Sequence, residues 1–222
     1  MEKKELKITE DGSHTLFIPG LNETYHSSHG AIQESIHVFI DAGLKYINNK
    51  EINVLEIGFG TGLNAFLTLL EANKTEANIN YTSLEAYPLE MSLVRQLNYT
   101  SELKLDDYIA CLYNKMHEVE WGSLQSITNE FKLKKLKIKL DDFETIEKYD
   151  VIYFDAFAPQ IQPEMWTVSV LEKMYNCLNA NGVLVTYCAK GIVKRALKEV
   201  GFKLESIPGP PGKREMTRAH KI

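Results

Sequence analysis

Val54-Leu-Glu-Ile-Gly-Phe-Gly-Thr-Gly-Leu63 reads as a buried strand that breaks into three alternating glycines before a helix opens. A short apolar run bounded by glycines is the mark of a core strand running into a turn. Glycine supplies backbone angles that other residues avoid and lets the chain approach a ligand closely. Tyr149-Asp-Val-Ile-Tyr-Phe154 is a second such run, and Asp155-Ala-Phe-Ala-Pro159 begins with an acid where that strand must end. In an open α/β sheet, ligands bind outside the carboxyl ends of the strands. The glycine turn and the acid therefore share one rim, which is the layout of an enzyme.

Outward from these two stretches, strand and helix signals alternate as in a doubly wound α/β sheet. We expect strands at 53–57, 80–85, 136–140, 150–154 and 182–188, and helices at 31–46, 62–73, 88–97, 164–178 and 192–200. Ile32, Ile36, Phe39, Ile40 and Leu44 would form the buried stripe of the first helix. Residues 1–30 read as a small hairpin and a polar loop, and 99–133 as a helical insertion. Two short strands around the Gly-Pro-Pro-Gly turn at 209–212 would form a terminal β-hairpin. The 222 residues are ordinary for one α/β domain with a sizeable core, and no linker divides 1–222. Cys111, Cys177 and Cys188 are far apart, odd in number and without a Cys-x-x-Cys pair, which argues against disulfides and zinc and for a reducing cytoplasm. No signal peptide or apolar membrane span is expected.

The glycine spacing selects the cofactor. Gly58, Gly60 and Gly62 form Gly-x-Gly-x-Gly, whereas a dinucleotide turn needs Gly-x-Gly-x-x-Gly and position 63 is Leu. With Glu56 two residues ahead, the pattern resembles motif I of S-adenosylmethionine-dependent methyltransferases. A donor with a positive sulfonium and an ammonium suits an acidic rim, whereas a pyrophosphate does not. Glu85 ends the next strand, where a carboxylate accepts from both ribose hydroxyls. Asp142, after Leu136-Lys-Ile-Lys-Leu140, is a candidate for the adenine amino group or simply a helix cap. A methyl acceptor follows from Asp155-Ala-Phe-Ala-Pro159, which resembles the Asp/Asn-Pro-Pro-aromatic tetrapeptide of amino-group methyltransferases. Nitrogen attacks only with a free lone pair, so a carboxylate within hydrogen-bond reach takes the proton or orients the N–H bonds. Asp155 is that candidate. Phe157 could pack on a base, and Pro159 would stiffen the loop.

Several segments together resemble the methyltransferase domain of the MnmC family. They are Asp155-Ala-Phe-Ala-Pro-Gln-Ile-Gln-Pro-Glu-Met-Trp166, Gly182-Val-Leu-Val-Thr-Tyr187, Lys213-Arg-Glu-Met216, Glu85-Ala-Tyr-Pro-Leu89 and the stretch from Thr24 to Gly43. The resemblance covers about residues 15 to 218. It implies a Rossmann-like class I methyltransferase with a mostly parallel seven-stranded sheet. It also implies methyl transfer from S-adenosylmethionine, leaving S-adenosylhomocysteine, to the 5-aminomethyl group of a tRNA wobble uridine. Two-domain members continue into a flavin-dependent oxidase. This chain reads as a stand-alone form without flavin or metal, with upstream enzymes supplying the amine and no obligate protein partner.

Charge sits uneasily with RNA. The net charge is −5, whereas nucleic-acid binders are usually basic. Cations do cluster at 130–139, which reads as solvated surface, and at 190–199 and 203–221, where phosphates of an anticodon stem-loop could be met. Lys194, Lys213 and Arg214 are the candidates there, with Arg214 open to either a phosphate or Asp155. Lys194 and Lys198 share a helix face by their spacing. Trp166 could stack on a base or pack in the core. His26 and His29 lie in a loop able to fold over the cofactor, though loop histidines are commonly surface residues. Two other classes stay open: transfer to a small free amine, and a non-catalytic partner subunit of the same fold.

Overall fold

The computed structural model describes residues 3–222. Three short strands, β1 (Glu5–Ile8), β2 (His14–Ile18) and β3 (Glu23–Thr24), pair antiparallel in a small sheet of their own. Helix α1 (Ala31–Ser35) then runs on as a π-helical turn, Ile36–Asp41. The main body is β4 (Glu51–Ile57), α2 (Leu63–Thr75), β5 (Asn78–Leu84), α3 (Met91–Val94), α4 (Tyr99–Glu102), α5 (Asp107–Glu118), β6 (Leu124–Ser126) and β7 (Phe131–Leu136). It continues with β8 (Tyr149–Phe154), α6 (Val168–Cys177), β9 (Leu178–Thr186), α7 (Gly191–Val200), β10 (Lys203–Pro208) and β11 (Glu215–His220).

The expected α/β architecture is present, with one strand more than the seven anticipated. The sheet has eight strands in the order β10-β11-β9-β8-β4-β5-β7-β6, and β7, β5, β4, β8 and β9 are parallel. The extra strand is β6, three residues folded antiparallel onto β7. The 99–133 segment is thus helical only to Glu118 and then turns into a β-hairpin. The strand placed at 136–140 lies at 131–136 because Phe131, Leu133 and Lys135 face inward while Lys132 is exposed. A fully buried lysine hid the period-two pattern. The terminal hairpin stands as expected, β10 and β11 pairing from Lys203↔His220 to Pro208↔Glu215.

Alternation sorts the side chains into two layers. Val54, Tyr81, Val151 and Tyr153 face one way, toward α1, α2 and α5, and Leu55, Ile57, Ile152 and Phe154 face α6 and α7. The chain grows outward from β4 through β5 to β7, then returns to lay β8 on the other flank of β4. That reversal is a topological switch point, where the helices leave a crevice open above the strand ends. Ile57 and Phe154 are cross-strand partners there, so Gly58 and Asp155 emerge side by side.

Candidate active site

A cavity of about 1160 Å³ opens at the switch point. Small-molecule sites usually hold ~300–1,000 Å³, so this one has room for a nucleoside-sized ligand and a second group beside it. Its walls include the glycine loop, Glu85, Ile138, Leu140, Asp155, Phe157 and Tyr187.

The glycine loop is built for close approach. Gly58, Gly60 and Gly62 have φ of 96°, 49° and 71°, a region that L-residues rarely occupy. A Cβ on Gly58 would press the Asp155 carbonyl at 3.2 Å, and one on Gly60 the Tyr25 ring at 3.3 Å. Glu85 is fixed at the end of β5 by two backbone donors: the Gly60 N–H reaches Oε2 at 2.9 Å and the Tyr87 N–H reaches Oε1 at 2.7 Å. Glu85 lines the cavity, and a carboxylate anchored this way keeps lone pairs able to accept paired hydroxyls. A glycine floor, an anchored acid on one side and apolar Ile138 and Leu140 beyond it suit S-adenosylmethionine by shape and by donor chemistry.

Asp155 stands at the other end of the loop. Its Oδ2 accepts from the Asn64 side-chain amide at 2.9 Å. Burial, reinforced by the nearby Glu34 carboxylate, pushes its pKa from 3.8 up to about 7, despite the opposing pull of Asn64 and Lys213. A carboxylate with that affinity for protons is suited to take one from an ammonium near neutral pH. The loop that carries it is braced from below. Trp166 Nε1 donates to the Phe157 carbonyl at 2.8 Å, the Tyr187 hydroxyl donates to the Ala156 carbonyl at 2.9 Å, and the Phe157 N–H donates to Gln162 at 3.2 Å. Phe157 meets Tyr25 edge to face at 5.5 Å across the cavity.

Other anticipated residues lie elsewhere. Glu56 has no exposed surface and does not line the cavity: strand alternation aims it at the α2 layer, where Ser83 Oγ, its cross-strand partner, donates to Oε2 at 2.6 Å. Its burial raises its pKa well above the ordinary range, and Oε1 stays without a protein partner beside Asn64 and Asp155. Glu56 is thereby a buried acid under the site, with burial favouring its protonated form. Substitution by isosteric glutamine is expected to leave the denaturant midpoint nearly unchanged, whereas Glu56→Ala, which strands the Ser83 hydroxyl, should cost about 1–3 kcal/mol. Asp142 ends a single 3-10 turn and lies off the cavity; its neighbour Asp141 is on the wall instead. Trp166 packs on Phe154 at 5.0 Å in the α6 layer, so its ring is core and its N–H is the loop brace. Pro159 and the exposed Arg214 are outside the lining.

The basic clusters divide when folded. In the first, Lys134 pairs with Glu147, Lys135 is buried with Nζ on the His117 carbonyl at 2.6 Å, and only Lys137 and Lys139 reach the cavity mouth. Lys194 is held by Glu215 and Ser206, both at 2.9 Å, while Arg195 and Lys198 of the same helix are exposed. Lys213 turns inward to Glu34 at 2.6 Å. His26 is buried against Thr15 and Tyr99, and burial lowers its pKa to about 4, which leaves it neutral.

Asn64, Glu34 and Tyr25 were not anticipated. Asn64 is the second residue of α2, a position that glycine-loop spacing alone could have flagged. Glu34 reaches the site because Asp11 and Ser13 accept from the first N–H groups of α1, docking that helix end on the small sheet. Only tertiary structure shows this.

A family model described as S-adenosyl-L-methionine-dependent methyltransferase (Methyltransf_30) matches residues 102–222. The tRNA 5-methylaminomethyl-2-thiouridine biosynthesis bifunctional protein MnmC of Cupriavidus metallidurans is 28% identical, over 99% of this chain and 34% of its own length. The MnmC of Leptospira interrogans is 30% identical, over 88% of this chain and 32% of its own. The chain thus spans about a third of the length of the curated relatives it matches. Among solved structures, MNMC2 from Aquifex aeolicus superposes with a TM-score of 0.79 at 26% identity, covering 99% of this chain and 70% of that one. Spermidine synthase from Thermotoga maritima shares the fold, with a TM-score of 0.51 at 15% identity over 99% of this chain and 71% of that one.

Proposed function

The chain belongs to the S-adenosyl-L-methionine-dependent methyltransferase family, and from that premise we propose that it methylates the 5-aminomethyl group of a wobble uridine in tRNA. The observation that carries this reading is Asp155, a carboxylate whose pKa burial pushes up to about 7, set beside the glycine loop in a cavity of about 1160 Å³. The relatives' names supply the acceptor, since MnmC of Cupriavidus metallidurans is named for making 5-methylaminomethyl-2-thiouridine.

Gly58 and Gly60 would hold the cofactor along the loop, with Glu85 on its ribose, whereas Gly62 lies outside the cavity lining and packs against His117 and Phe59. Bound there, S-adenosylmethionine supplies a methyl group on a cationic sulfur that leaves as a neutral thioether. Asn64 orients the Asp155 carboxylate by donating to Oδ2, so that Oδ1 is offered to the acceptor nitrogen. Asp155 takes the proton that frees the nitrogen lone pair, then returns it to water. Phe157 and Tyr25 form an aromatic wall on which a uracil ring could pack. The exposed Arg195, Lys198 and Arg214 are the cations offered to the RNA backbone, and the anticodon stem-loop is the partner proposed for them. Three unpaired cysteines and a tRNA substrate are consistent with action in the cytoplasm, and among the described residues no helix is long and apolar enough to cross a membrane.

The direct test is transfer of labelled methyl from S-adenosylmethionine into tRNA carrying 5-aminomethyl wobble uridine. Label at that base, absent from tRNA lacking the aminomethyl group, is the expected result. Label in free polyamines and not in tRNA would assign the site to a small amine. Doubling the charge loss with Arg195→Ser and Lys198→Ser should raise KM for tRNA roughly tenfold and flatten its salt dependence, because each neutralised phosphate contributes to the salt slope. A small-amine enzyme would show neither change.

A further inference from the structure

Three charged side chains meet on the acceptor side of the cavity, and one of them has no evident task there. Glu34 is largely buried, and its carboxylate is oriented by the Ser27 N–H, which donates to Oε2 at 2.7 Å. Its other oxygen, Oε1, accepts from Lys213 Nζ at 2.6 Å. The same ammonium lies 3.9 Å from the centre of the Tyr187 ring. Tyr187 cannot turn away, because its hydroxyl is committed to the Ala156 carbonyl. A fixed carboxylate and a fixed aromatic face around one ammonium are the elements of cation recognition by aromatic cages.

The lysine itself is more exposed than its receptor. Lys213 follows the Gly-Pro-Pro-Gly turn between β10 and β11, and its side chain is 34% exposed against 9% for Glu34. It makes no ion pair with Asp155, although both line the same cavity. An acceptor nitrogen placed within reach of Asp155 enters this same pocket of negative charge.

We propose that Glu34 and the face of Tyr187 form a receptor for the primary ammonium of the acceptor, and that Lys213 fills it as a built-in stand-in until the acceptor displaces it. The inference rests on an amine acceptor beside Asp155 and names the groups that capture it. The ammonium docks on Glu34 and Tyr187, one N–H proton passes to the Asp155 carboxylate, and the nitrogen is left neutral with its lone pair free. Carboxylate and ammonium become carboxylic acid and amine, so charge and protons balance. The freed Lys213 regains its chain flexibility at the rim. Selection for an amine over an isosteric alcohol then follows from charge, before any chemistry.

The sign of the lysine variant decides the matter. Propylammonium is the probe, its binding followed by ligand-observed NMR with S-adenosylhomocysteine present, and propanol is the neutral control. Lys213→Met removes the competitor and should tighten propylammonium binding about tenfold, while Glu34→Gln should weaken it about tenfold to a hundredfold, the range for hydrogen bonds to charged groups. Lys213→Arg keeps a competing cation and should bind like wild type, and propanol should respond to none of them. Thermal melts confirm that each protein compared is folded. Propylammonium binding that is unchanged or weaker in folded Lys213→Met would overturn the proposal and make Lys213 a fixed strap, with methylation of tRNA by wild type still standing. The expected pattern in a protein that does not methylate wobble uridine would remove the tRNA acceptor and support the receptor.

Discussion

Asp155→Asn is expected to lower kcat/KM for methyl transfer by about 10²–10⁴-fold, the usual contribution of a positioned general base. Asparagine preserves the size and the backbone of the loop, and it keeps an oxygen to accept from Asn64. It removes only the capacity to take a proton. Cofactor affinity, measured by calorimetry with S-adenosylhomocysteine, should change much less than the rate. A loss of affinity as large as the loss of rate would mean that Asp155 binds the cofactor and does not serve the acceptor. In wild type, kcat/KM should rise with pH along a limb with an apparent pKa near 7, set by burial and by Glu34. That limb should be missing from the residual activity of Asp155→Asn.

The same shift makes a stability prediction of opposite direction to the usual acid. Folding raises the pKa of Asp155 from 3.8 to about 7. Between these values the native protein holds a proton that the unfolded chain has released. The stability contributed by Asp155 is therefore fully present below about pH 4 and is lost as pH rises through 7. Relative to wild type, Asp155→Asn should gain in Tm between pH 5 and pH 8. A difference in Tm independent of pH would show that the carboxyl titrates normally.

Gly60→Val has the second large effect. A β-branched residue at φ 49° is strained, and its Cβ would lie 3.3 Å from the Tyr25 ring. Residues forced into such backbone regions cost about 1–3 kcal/mol each. Relief requires the loop to shift, which pulls the Gly60 N–H from Glu85 and unseats the acid proposed for the ribose. S-adenosylhomocysteine affinity is expected to fall by ~10–100-fold, since each factor of ten is about 1.4 kcal/mol. Gly122→Ala is the control: that glycine also has positive φ, yet a Cβ there meets nothing within 4 Å and it is not among the residues lining the cavity. Equal loss of cofactor affinity in both variants would trace the effect to global destabilisation.

What the sequence determined by itself was local. The apolar run 54–57 ending in glycines, the run 149–154 ending in Asp155, and the Gly-Pro-Pro-Gly turn each carry a signal that neighbouring residues complete: a strand, its stop and its turn. The topology followed from these, because parallel strands joined by helices close in few ways. Motif resemblance added the expected cofactor and the proposed acceptor class, which no periodicity contains. Where the signal depended on which face a residue presents, the sequence was silent. Glu56 sits beside the glycines in sequence but one residue out of phase with the rim, so alternation sends it under the sheet's helix layer. Lys135 reads as surface charge and is buried, its ammonium satisfied by a carbonyl and by the faces of Phe59 and Trp121. Glu34, Tyr187 and Lys213 come from three distant segments and acquire meaning only when α1, β9 and the terminal hairpin converge. Strand ends are set by interactions of near neighbours, whereas the charge on a buried carboxyl is set by everything within a few ångströms of it. That is why the chain order gave the rim, and only the folded protein decided which acids stand on it.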